Sequence, residues 1–408
     1  IRDYYASRGL GDVYKRQIKE SKEKEIEVRP EFFMIDMTNK CNLRCNYCLR
    51  NLEQEENCIS TEKLRDIGKF ITTYCDEYKI ANISVQAWGG EPLLEKNKII
   101  ALTKFITPQK TKVHYSIETN ATLLTNDVIE ELYKNHIGIG ISIDGDRKCH
   151  DLQRTFVSGK GSYDTVKKNL LQAQRYYKNK IGTITTITKQ TAVHIEKIIE
   201  HLVLDLHISN IKLNFVHAST YTHGQNQCLN TQEIADTELR ILYKIIELQE
   251  RGYDVMEHNI FIKLKNLLFR EYADICLSCG CCGGEKMIVF DMDGNIYPCE
   301  LTDDASFVIG SIYKKESLIE QIKMTIDKDK AFFKMKKAVE CEKCYWKFFC
   351  RGGCTVRALS EKRQMEVIDI DHIECAINQV LYPALMELVL RKPHIVNQML
   401  GEDLLVDE

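Results

Sequence analysis

The sequence predicts an α/β fold with a parallel sheet, followed by a small cysteine-rich module and C-terminal helices. Six short apolar or β-branched segments between residues 32 and 215 alternate with segments of helical periodicity. This alternation is typical of parallel strands joined by right-handed helical crossovers. After about residue 270 the composition changes, because ten of the 17 cysteines lie between residues 276 and 375. A length of 408 residues allows two or three domains.

The strand and helix segments can be placed one by one along the chain. Each apolar segment is short enough for a buried strand, and the six are 32–36, 83–87, 113–118, 137–143, 181–188 and 211–215. The helical segments that follow them are 61–78, 96–106, 126–134, 163–177, 194–204 and 232–250. Ser60, Thr125 and Thr231 are plausible N-caps. Six units are fewer than the eight of a closed barrel, so an open partial barrel and a doubly wound sheet both remain as solutions.

The rest of the chain divides at changes of composition. We place the α/β domain at 30–250, the cysteine-rich module at 270–376 and a helical tail at 377–408. Asp293-Gly294 predicts a hairpin between segments 286–290 and 295–297. Residues 376–405 are expected to be helical with breaks near Pro383 and Pro393. Residues 1–17 are interpreted as a non-native terminus, because the chain opens with isoleucine and its residues 12–17 resemble translated adapter sequence.

Composition excludes several classes of function. A formal net charge of -3 gives no electrostatic basis for nucleic-acid binding. The sequence has no run of eighteen apolar residues and no signal-peptide layout, so we expect a cytoplasmic protein without a membrane span. Many cysteines in a chain without an export signal indicate metal or redox ligands rather than disulfides.

The first cysteine cluster directly follows the first strand. Cys41, Cys45 and Cys48 are separated by three and then two residues. Three thiolates on one tight loop suit three corners of a cubane iron–sulfur cluster and leave one iron open, since ordinary clusters use four cysteines. The alternative is a structural zinc site with Cys58 as a fourth ligand.

This loop resembles that of the radical S-adenosylmethionine (SAM) enzymes, whose hallmark is a three-cysteine motif after the first strand of a partial (βα)6 TIM-type barrel. Tyr47 matches the family's aromatic position before the last cysteine. The resemblance implies a [4Fe–4S] cluster on Cys41, Cys45 and Cys48, with S-adenosyl-L-methionine chelating the open iron. One electron, from a donor such as flavodoxin or ferredoxin, then yields a 5′-deoxyadenosyl radical that abstracts hydrogen from the substrate.

Two further segments match the family's cofactor-binding positions. Gly89, Gly90 and Glu91 end the second strand, where paired glycines let the backbone approach a ligand; in the family this segment holds the methionine amino group, and the alternative is a plain turn. Ser142 ends the fourth strand, and Arg154 follows it. By resemblance Ser142 contacts the cofactor and Arg154 pairs with its carboxylate, for which a guanidinium is well suited; the alternative is a solvated surface arginine. Thr119-Asn120, at the end of the third strand, is also expected to face the site.

The second cysteine field has the ordered spacings Cys276-x5-Cys282-x11-Gly294-x4-Cys299 and Cys341-x2-Cys344-x5-Cys350-x3-Cys354, followed by Cys375. This pattern resembles a SPASM domain, the C-terminal module of many peptide- and protein-modifying radical enzymes. The resemblance implies two auxiliary [4Fe–4S] clusters with four thiolates each. One takes Cys276, Cys282, Cys299 and Cys354, and the other takes Cys341, Cys344, Cys350 and Cys375. Cys279 is an alternative to Cys276. The competing chemistry is a four-thiolate zinc site formed by Cys279, Cys282, Cys341 and Cys344.

Glu300 bears on the choice between functions. The sulfatase-maturing branch of the family has an aspartate after the matching cysteine, proposed to accept a proton; Glu300 keeps the carboxylate on a longer arm. It is a candidate catalytic base, and the alternative is a surface carboxylate near a cluster. We therefore expect a maturase that installs a thioether or carbon cross-link in a ribosomally made precursor peptide. Many such maturases carry an N-terminal leader-binding domain, and whether one precedes this sequence is left open. The alternatives are an anaerobic sulfatase-maturing enzyme that forms formylglycine, and a non-catalytic iron–sulfur or zinc protein.

Overall fold

The computed structural model describes residues 28–50, 56–216, 227–269, 280–302, 305–327, 341, 343–360 and 370–401. The proposed non-native terminus, Cys276 and Cys279 lie outside these residues. The strands are β1 (Phe32–Thr38), β2 (Leu43–Cys45), β3 (Asn82–Gly89), β4 (Lys112–Thr119), β5 (Ile137–Ser142), β6 (Arg154–Phe156), β7 (Gly182–Ile187), β8 (Asn210–Phe215), β9 (Met256–Glu257), β10 (Met287–Phe290), β11 (Asn295–Tyr297) and β12 (Gly310–Ser311).

The order of the strands identifies the fold as a partial barrel. One sheet runs in the order β12-β11-β10-β1-β3-β4-β5-β7-β8-β9. The six strands from β1 to β8 are neighbours in chain order, and all their pairings are parallel. A doubly wound sheet would reverse its strand order at a switch point, so the partial (βα)6 TIM-type barrel is confirmed. β2 and β6 form a separate antiparallel ribbon.

The helices cover the convex face of the sheet. They are α1 (Thr61–Glu77), α2 (Lys96–Phe105), α3 (Asn126–Lys134), α4 (Arg147–Gln153), α5 (Tyr163–Tyr177), α6 (Lys189–Ala192), α7 (Ile195–Glu200), α8 (Thr231–Glu250), α9 (His258–Phe269), α10 (Leu318–Asp327), α11 (Lys347–Cys350), α12 (Thr355–Ser360), α13 (His372–Arg391) and α14 (Pro393–Leu400). Their apolar sides pack on strand residues such as Ile35, Val85 and Ile141 in one large core. On the other side of the sheet most residues are only partly buried. We call this concave face the lumen.

Two expectations about helix ends need correction. Ser60 caps α1 by accepting from the Lys63 amide, and Thr125 precedes α3 without a side-chain cap bond. Thr231 is not a cap. Asn230 caps α8 in a reciprocal capping box with Glu233, because an asparagine one residue earlier satisfies the same free amide. The segment expected as helix 194–204 is α7 followed by a π turn, His201–Asp205.

The C-terminal module extends the barrel sheet. β10 pairs in parallel with β1, and β11 pairs antiparallel with β10, which gives the expected hairpin around Gly294. The expected break at Pro393 is present, since α14 begins there, but α13 runs through Pro383. Pro383 costs the helix one hydrogen bond. The helix nevertheless continues through it, because Leu381 and Tyr382 are buried in the core.

One helix in the described part of the chain, α13, is long and apolar enough to span a membrane by length and composition alone. It carries the fully buried polar side chains of Glu374 and Asn378. Glu374 forms a buried ion pair with Lys263 of α9. Such pairing is typical of a core helix between packed neighbours, because an ion pair facing lipid would be costly.

Candidate functional site

The three cysteines of the first motif lie on the loop that leaves the carboxyl end of β1. Cys45 is the last residue of β2 and stands opposite Arg154 in the ribbon with β6. The Cys48 amide donates to the Cys45 carbonyl at 3.2 Å, which closes the turn between those two residues. The loop is therefore fixed at both ends, by the barrel strand β1 and by the ribbon.

The thiols of this loop suit a cluster better than a single metal ion. Burial raises the pKa of Cys41 to about 11 and that of Cys45 to about 12, so a bound cation is needed to ionise them. Among the residues described, no three His, Cys, Asp or Glu side chains converge closely enough to hold one ion. A cubane gives each thiolate its own iron and so needs wider spacing. The thiol of Cys58 instead accepts from Lys98 Nζ at 3.4 Å, which disfavours the zinc alternative.

Arg154 is not a solvated surface residue. It is buried, its Nε donates to Asp144 Oδ2 at 2.9 Å, and its guanidinium lies 5.3 Å over the ring of Tyr47. Nη1 stands 4.0 Å from Cys45 Sγ. Asp144 raises the pKa of Arg154 against the opposing effect of burial, so the guanidinium is charged beside the cysteine loop. A cation in this position attracts both thiolates and an anionic ligand.

Asp144, two residues after Ser142, is the central acceptor of the site. Its Oδ2 accepts from Tyr47 Oη at 2.7 Å, from Gln153 Nε2 at 3.0 Å and from Arg154. Its Oδ1 accepts from the Thr186 amide at 2.9 Å. Through these hydrogen bonds the Asp144 carboxylate connects the end of β5 to the cysteine loop, to α4, to β6 and to β7. An aspartate directly after a buried strand was the signal in the sequence.

His150 links the backbone of Asp144 to that of Arg154 through hydrogen bonds. Its Nδ1 accepts from the Asp144 amide at 3.2 Å, so Nε2 carries the proton and faces Ser162 Oγ at 2.9 Å. Ser162 Oγ donates in turn to the Arg154 carbonyl at 2.7 Å. Burial lowers the pKa of His150 to about 4, which keeps the ring neutral in this chain of hydrogen bonds.

The paired glycines serve close packing against the cysteine loop. A Cβ on Gly89 would lie 2.3 Å from the Thr38 carbonyl oxygen, and one on Gly90 would lie 2.2 Å from the Lys40 carbonyl oxygen. The Gly90 amide donates to the Thr38 carbonyl at 2.7 Å, and the Glu91 amide donates to the Lys40 carbonyl at 2.8 Å. The end of β3 therefore holds the start of the loop by backbone contact.

The carboxylate of Glu91 is used within the protein. It is fully buried and accepts from the Leu93 amide, from Thr119 Oγ1 at 2.7 Å and from the Asn120 amide at 2.8 Å. Asn120 Nδ2 reaches Asn42 Oδ1 at 2.9 Å and stands 3.8 Å from Cys41 Sγ. Thr119-Asn120 thus connects the glycine turn to the loop, as expected for residues facing the site. Because these bonds occupy the Glu91 carboxylate, Gly89–Glu91 can bind the cofactor only through backbone groups, unless the carboxylate rearranges.

The mouth of the lumen holds polar atoms without partners. Arg50, two residues after Cys48, donates to Asp36 Oδ2 at 2.7 Å and lies 5.9 Å over the ring of Trp88. The buried atoms Asp36 Oδ1 and Trp88 Nε1 have no hydrogen-bond partner. Buried polar atoms without partners indicate a ligand position, and these lie beside the cysteine loop. Ser142 is the partly exposed last residue of β5 and is on the lumen face.

The cysteine-rich module brings Cys299 and Cys354, two of the predicted ligands, together with Cys281. Cys281, Cys299 and Cys354 pack in one cluster with Met34 of β1. The charges of Cys281 and Cys354 help to raise the pKa of Cys299, although burial is the main cause. The carbonyl of the neighbouring Cys282, which is buried, accepts the Glu285 and Lys286 amides of the following turn.

The second predicted ligand set gathers at the start of α13. Cys375 lies within electrostatic range of Cys341 and Cys344. Gln379 Nε2 donates to Cys344 Sγ at 3.5 Å. Cys350 ends α11, and burial raises its pKa to about 12, with a smaller contribution from Glu374. Cys341 and Cys344 therefore gather with Cys375, as the predicted second set requires.

Glu300 lies inside the molecule rather than on its surface. Its Oε2 is buried without a hydrogen-bond partner. Burial raises its pKa, Glu118 raises it further, and Lys212 and Arg50 act in the opposite direction. The carboxyl group therefore faces the lumen of the barrel, across from residues of β4 and β8.

Comparison with known proteins agrees with this geometry. Residues 35–202 match the model of the Radical SAM superfamily. The chain is 26% identical over 327 residues to a cysteine-type anaerobic sulfatase-maturating enzyme of Clostridium novyi, covering 78% of this chain and 85% of that one. It is 23% identical over 373 residues to the radical SAM cyclopropyl synthase TigE of Paramaledivibacter caminithermalis, covering 86% and 73% of the two chains.

A solved structure shares the fold over nearly the whole chain. Native anSMEcpe with bound AdoMet and Cp18Cys peptide superposes with a TM-score of 0.73 at 20% identity. The match covers 91% of this chain and 100% of that chain, so the shared fold extends beyond the barrel into the cysteine-rich module.

Proposed function

Because residues 35–202 form a radical SAM domain, we propose that this enzyme generates a 5′-deoxyadenosyl radical and oxidatively modifies a ribosomally made peptide. The product would be a thioether or carbon cross-link. The observation that carries the proposal is the three-cysteine loop held against Arg154 at the open end of a partial barrel. A [4Fe–4S] cluster and S-adenosyl-L-methionine, when bound there, supply the radical chemistry.

The residues of this chain have distinct parts in the proposed mechanism. Cys41, Cys45 and Cys48 hold the cluster, and Arg154 carries the positive charge that attracts the cofactor carboxylate. Asp144 fixes the orientation of Arg154. Ser142 and the backbone of Gly89–Glu91 complete the cofactor site at the ends of β5 and β3. The partly exposed lumen residues leave room for the substrate below it.

The module is proposed to hold two auxiliary [4Fe–4S] clusters. One set is Cys282, Cys299 and Cys354 with Cys276, and the packing of Cys299 and Cys354 in one cluster supports it. The fourth ligand, Cys276, lies outside the described residues. Cys341, Cys344, Cys350 and Cys375 form the other set. Full ligation by four thiolates suits electron transfer or structural support rather than substrate binding.

Formylglycine formation is the second candidate. It is favoured by the unpartnered oxygen of Glu300, since oxidation of a cysteine or serine requires a base for the substrate proton. The named Clostridium novyi relative supports the same reading. In both candidates the enzyme acts on a peptide or protein, and an electron donor such as flavodoxin or ferredoxin is required.

The test is made with the product of the neighbouring gene. The purified precursor peptide or sulfatase is incubated anaerobically with reconstituted enzyme, reductant and S-adenosyl-L-methionine, and then sequenced by mass spectrometry. A cross-link removes two hydrogens and joins two residues, whereas formylglycine replaces one side chain by an aldehyde. An unmodified peptide together with an oxidised sulfatase would overturn the first candidate in favour of the second.

The cofactor site itself is tested by changing Cys41, Cys45 and Cys48 together to alanine. We expect the variant to form no 5′-deoxyadenosine with dithionite and S-adenosyl-L-methionine, because no ligands remain for the open cluster. Cys75→Ala is the matched control, since Cys75 is a buried residue of α1 remote from the loop. Product at the control's rate from the triple variant would refute the assignment.

A further inference from the structure

The lumen carries a carboxyl group and an ammonium group on opposite walls. Glu118 of β4 pairs in register with Gly140 of β5, and Lys212 of β8 pairs with Ile184 of β7. Both side chains are on the partly exposed face of their strands. Burial raises the pKa of Glu118, while Lys212 and a hydrogen bond with Gln86 oppose the rise. The two groups therefore interact across the space between β4 and β8.

In the row of Glu118 the next two strands carry glycines, Gly140 of β5 and Gly182 of β7, whereas the row of Lys212 carries Ile184 and Ser142. Gly140 pairs with Gly182, and a Cβ on Gly182 would have no heavy atom within 4 Å. A Cβ on Gly140 would lie 3.4 Å from Glu118 Cγ, so the Glu118 side chain lies along the edge of this gap. Ile184 Cδ1 lies 3.7 Å from the same position, so the two glycines leave room for a side chain of a bound peptide beside Ile184.

Glu300 closes the space from the module side. It interacts electrostatically with both Glu118 and Lys212, and its Oε2 is buried without a hydrogen-bond partner. Arg50 also faces Glu300, but its guanidinium is paired with Asp36. The described groups around this space therefore include two carboxyl groups and one ammonium, apart from the Asp36–Arg50 pair. The buried Oε2 of Glu300 needs a hydrogen-bond donor. A cationic donor would also balance the negative charge of the two carboxyl groups.

We propose that the space beside Gly140 and Gly182 binds a cationic side chain of the peptide substrate, lysine or arginine, between the carboxyl groups of Glu118 and Glu300. The proposal rests on the proposed function, since it names a feature of the same enzyme's substrate. Glu118 is then a specificity-determining residue. Lys212 orients the carboxyl groups and limits the site to one positive charge.

The test measures peptide binding without turnover. The anaerobically reconstituted holoenzyme, with S-adenosyl-L-methionine, is dialysed to equilibrium against acetyl-Gly-Ala-Cys-Xaa-Ala-Gly-amide peptides in which Xaa is lysine, norleucine or glutamate. We expect the lysine peptide to bind about tenfold or more tightly than the norleucine peptide, because the latter leaves the carboxyl groups unpaired. Glu118→Gln should bring this ratio close to one. Lys212→Met should increase it, because a competing cation is removed.

Controls separate this proposal from folding effects and from the proposed function. Glu130→Gln is the matched control, because Glu130 is an exposed carboxylate of α3 paired with Lys134, and its ratio should equal that of wild type. If Glu118→Gln does not retain iron, Lys212→Met decides the question. Equal affinity for the three peptides, no measurable binding, or a ratio unchanged in both lumen variants would overturn the proposal. Formation of 5′-deoxyadenosine, measured in parallel, reports on the proposed function independently.

Discussion

At the residue scale, Asp144 is the group on which the geometry of the site depends. It has no solvent exposure and accepts three side-chain hydrogen bonds through one oxygen and a backbone bond through the other. A buried arginine without its carboxylate partner is strongly unfavourable. Asp144 is therefore a positioning residue that acts through Arg154 and Tyr47.

Asp144→Asn should destabilise the protein by about 3–5 kcal/mol, because it leaves the Arg154 charge buried and uncompensated. The measurement is denaturant unfolding under anaerobic conditions. Asp164→Asn is the control: it breaks the exposed ion pair with Arg147, and we expect no measurable change. If Asp144→Asn lowers the free energy of unfolding no more than the control does, another group must balance the buried charge of Arg154.

Glu300→Gln separates the two candidate functions. For a cross-linking enzyme we expect yields of modified peptide within about tenfold of wild type at saturating peptide, because hydrogen-atom abstraction by the radical requires no carboxylate base at this position. For formylglycine formation the loss of a general base costs about 10²–10⁴-fold. The assay is mass spectrometry of the neighbouring gene product, with cluster content checked by iron analysis. We expect the small effect, and a loss of about a hundredfold or more with intact clusters would favour sulfatase maturation.

At the element scale, the turn after β3 acts as a clamp on the cysteine loop. Its two backbone amides bond to carbonyls of residues 38 and 40, and the Glu91 carboxylate joins it to the end of β4. Three consecutive strands of the barrel therefore converge on one loop. An ordinary βα turn accepts many residue types. This one needs Gly89 and Gly90, because a Cβ at either position would collide with the backbone of the cysteine loop.

Gly90→Ala should displace the loop, because the new Cβ meets backbone atoms that cannot move away cheaply. We expect the reconstituted variant to lose about four irons per chain, the content of one cluster, and to retain the auxiliary clusters. Iron analysis and electron paramagnetic resonance measure this. Gly182→Ala, whose Cβ meets nothing within 4 Å, is the control. Equal iron in the two variants would contradict the clamp.

At the scale of the whole molecule, the barrel and the module share one sheet. β10 adds to the free edge of β1, and the cluster of Cys281, Cys299 and Cys354 packs on Met34 and Trp88 of the barrel. Glu300 directly follows Cys299 in the chain. Because Cys299 packs against the barrel, Glu300 reaches the lumen. The module therefore completes one wall of the proposed substrate site.

Anaerobic reconstitution should load about twelve irons per chain, from three, four and four cysteine ligands in three clusters. Combined iron and zinc analysis measures this, and removal of iron by a chelator should abolish the visible absorbance. Iron near four per chain with stoichiometric zinc would contradict the auxiliary-cluster assignment.

The sequence by itself determined the six strand–helix units, the cysteine loop after β1 and the glycine turn after β3. These follow from local periodicity and spacing, which depend on neighbours in the chain. It did not distinguish a partial barrel from a doubly wound sheet, because strand order is a non-local property. Nor did it reveal Asp144 as the acceptor for Arg154, or place Glu118 opposite Lys212. Each of these depends on which side chains the fold brings together from distant strands, and only the tertiary structure decided it.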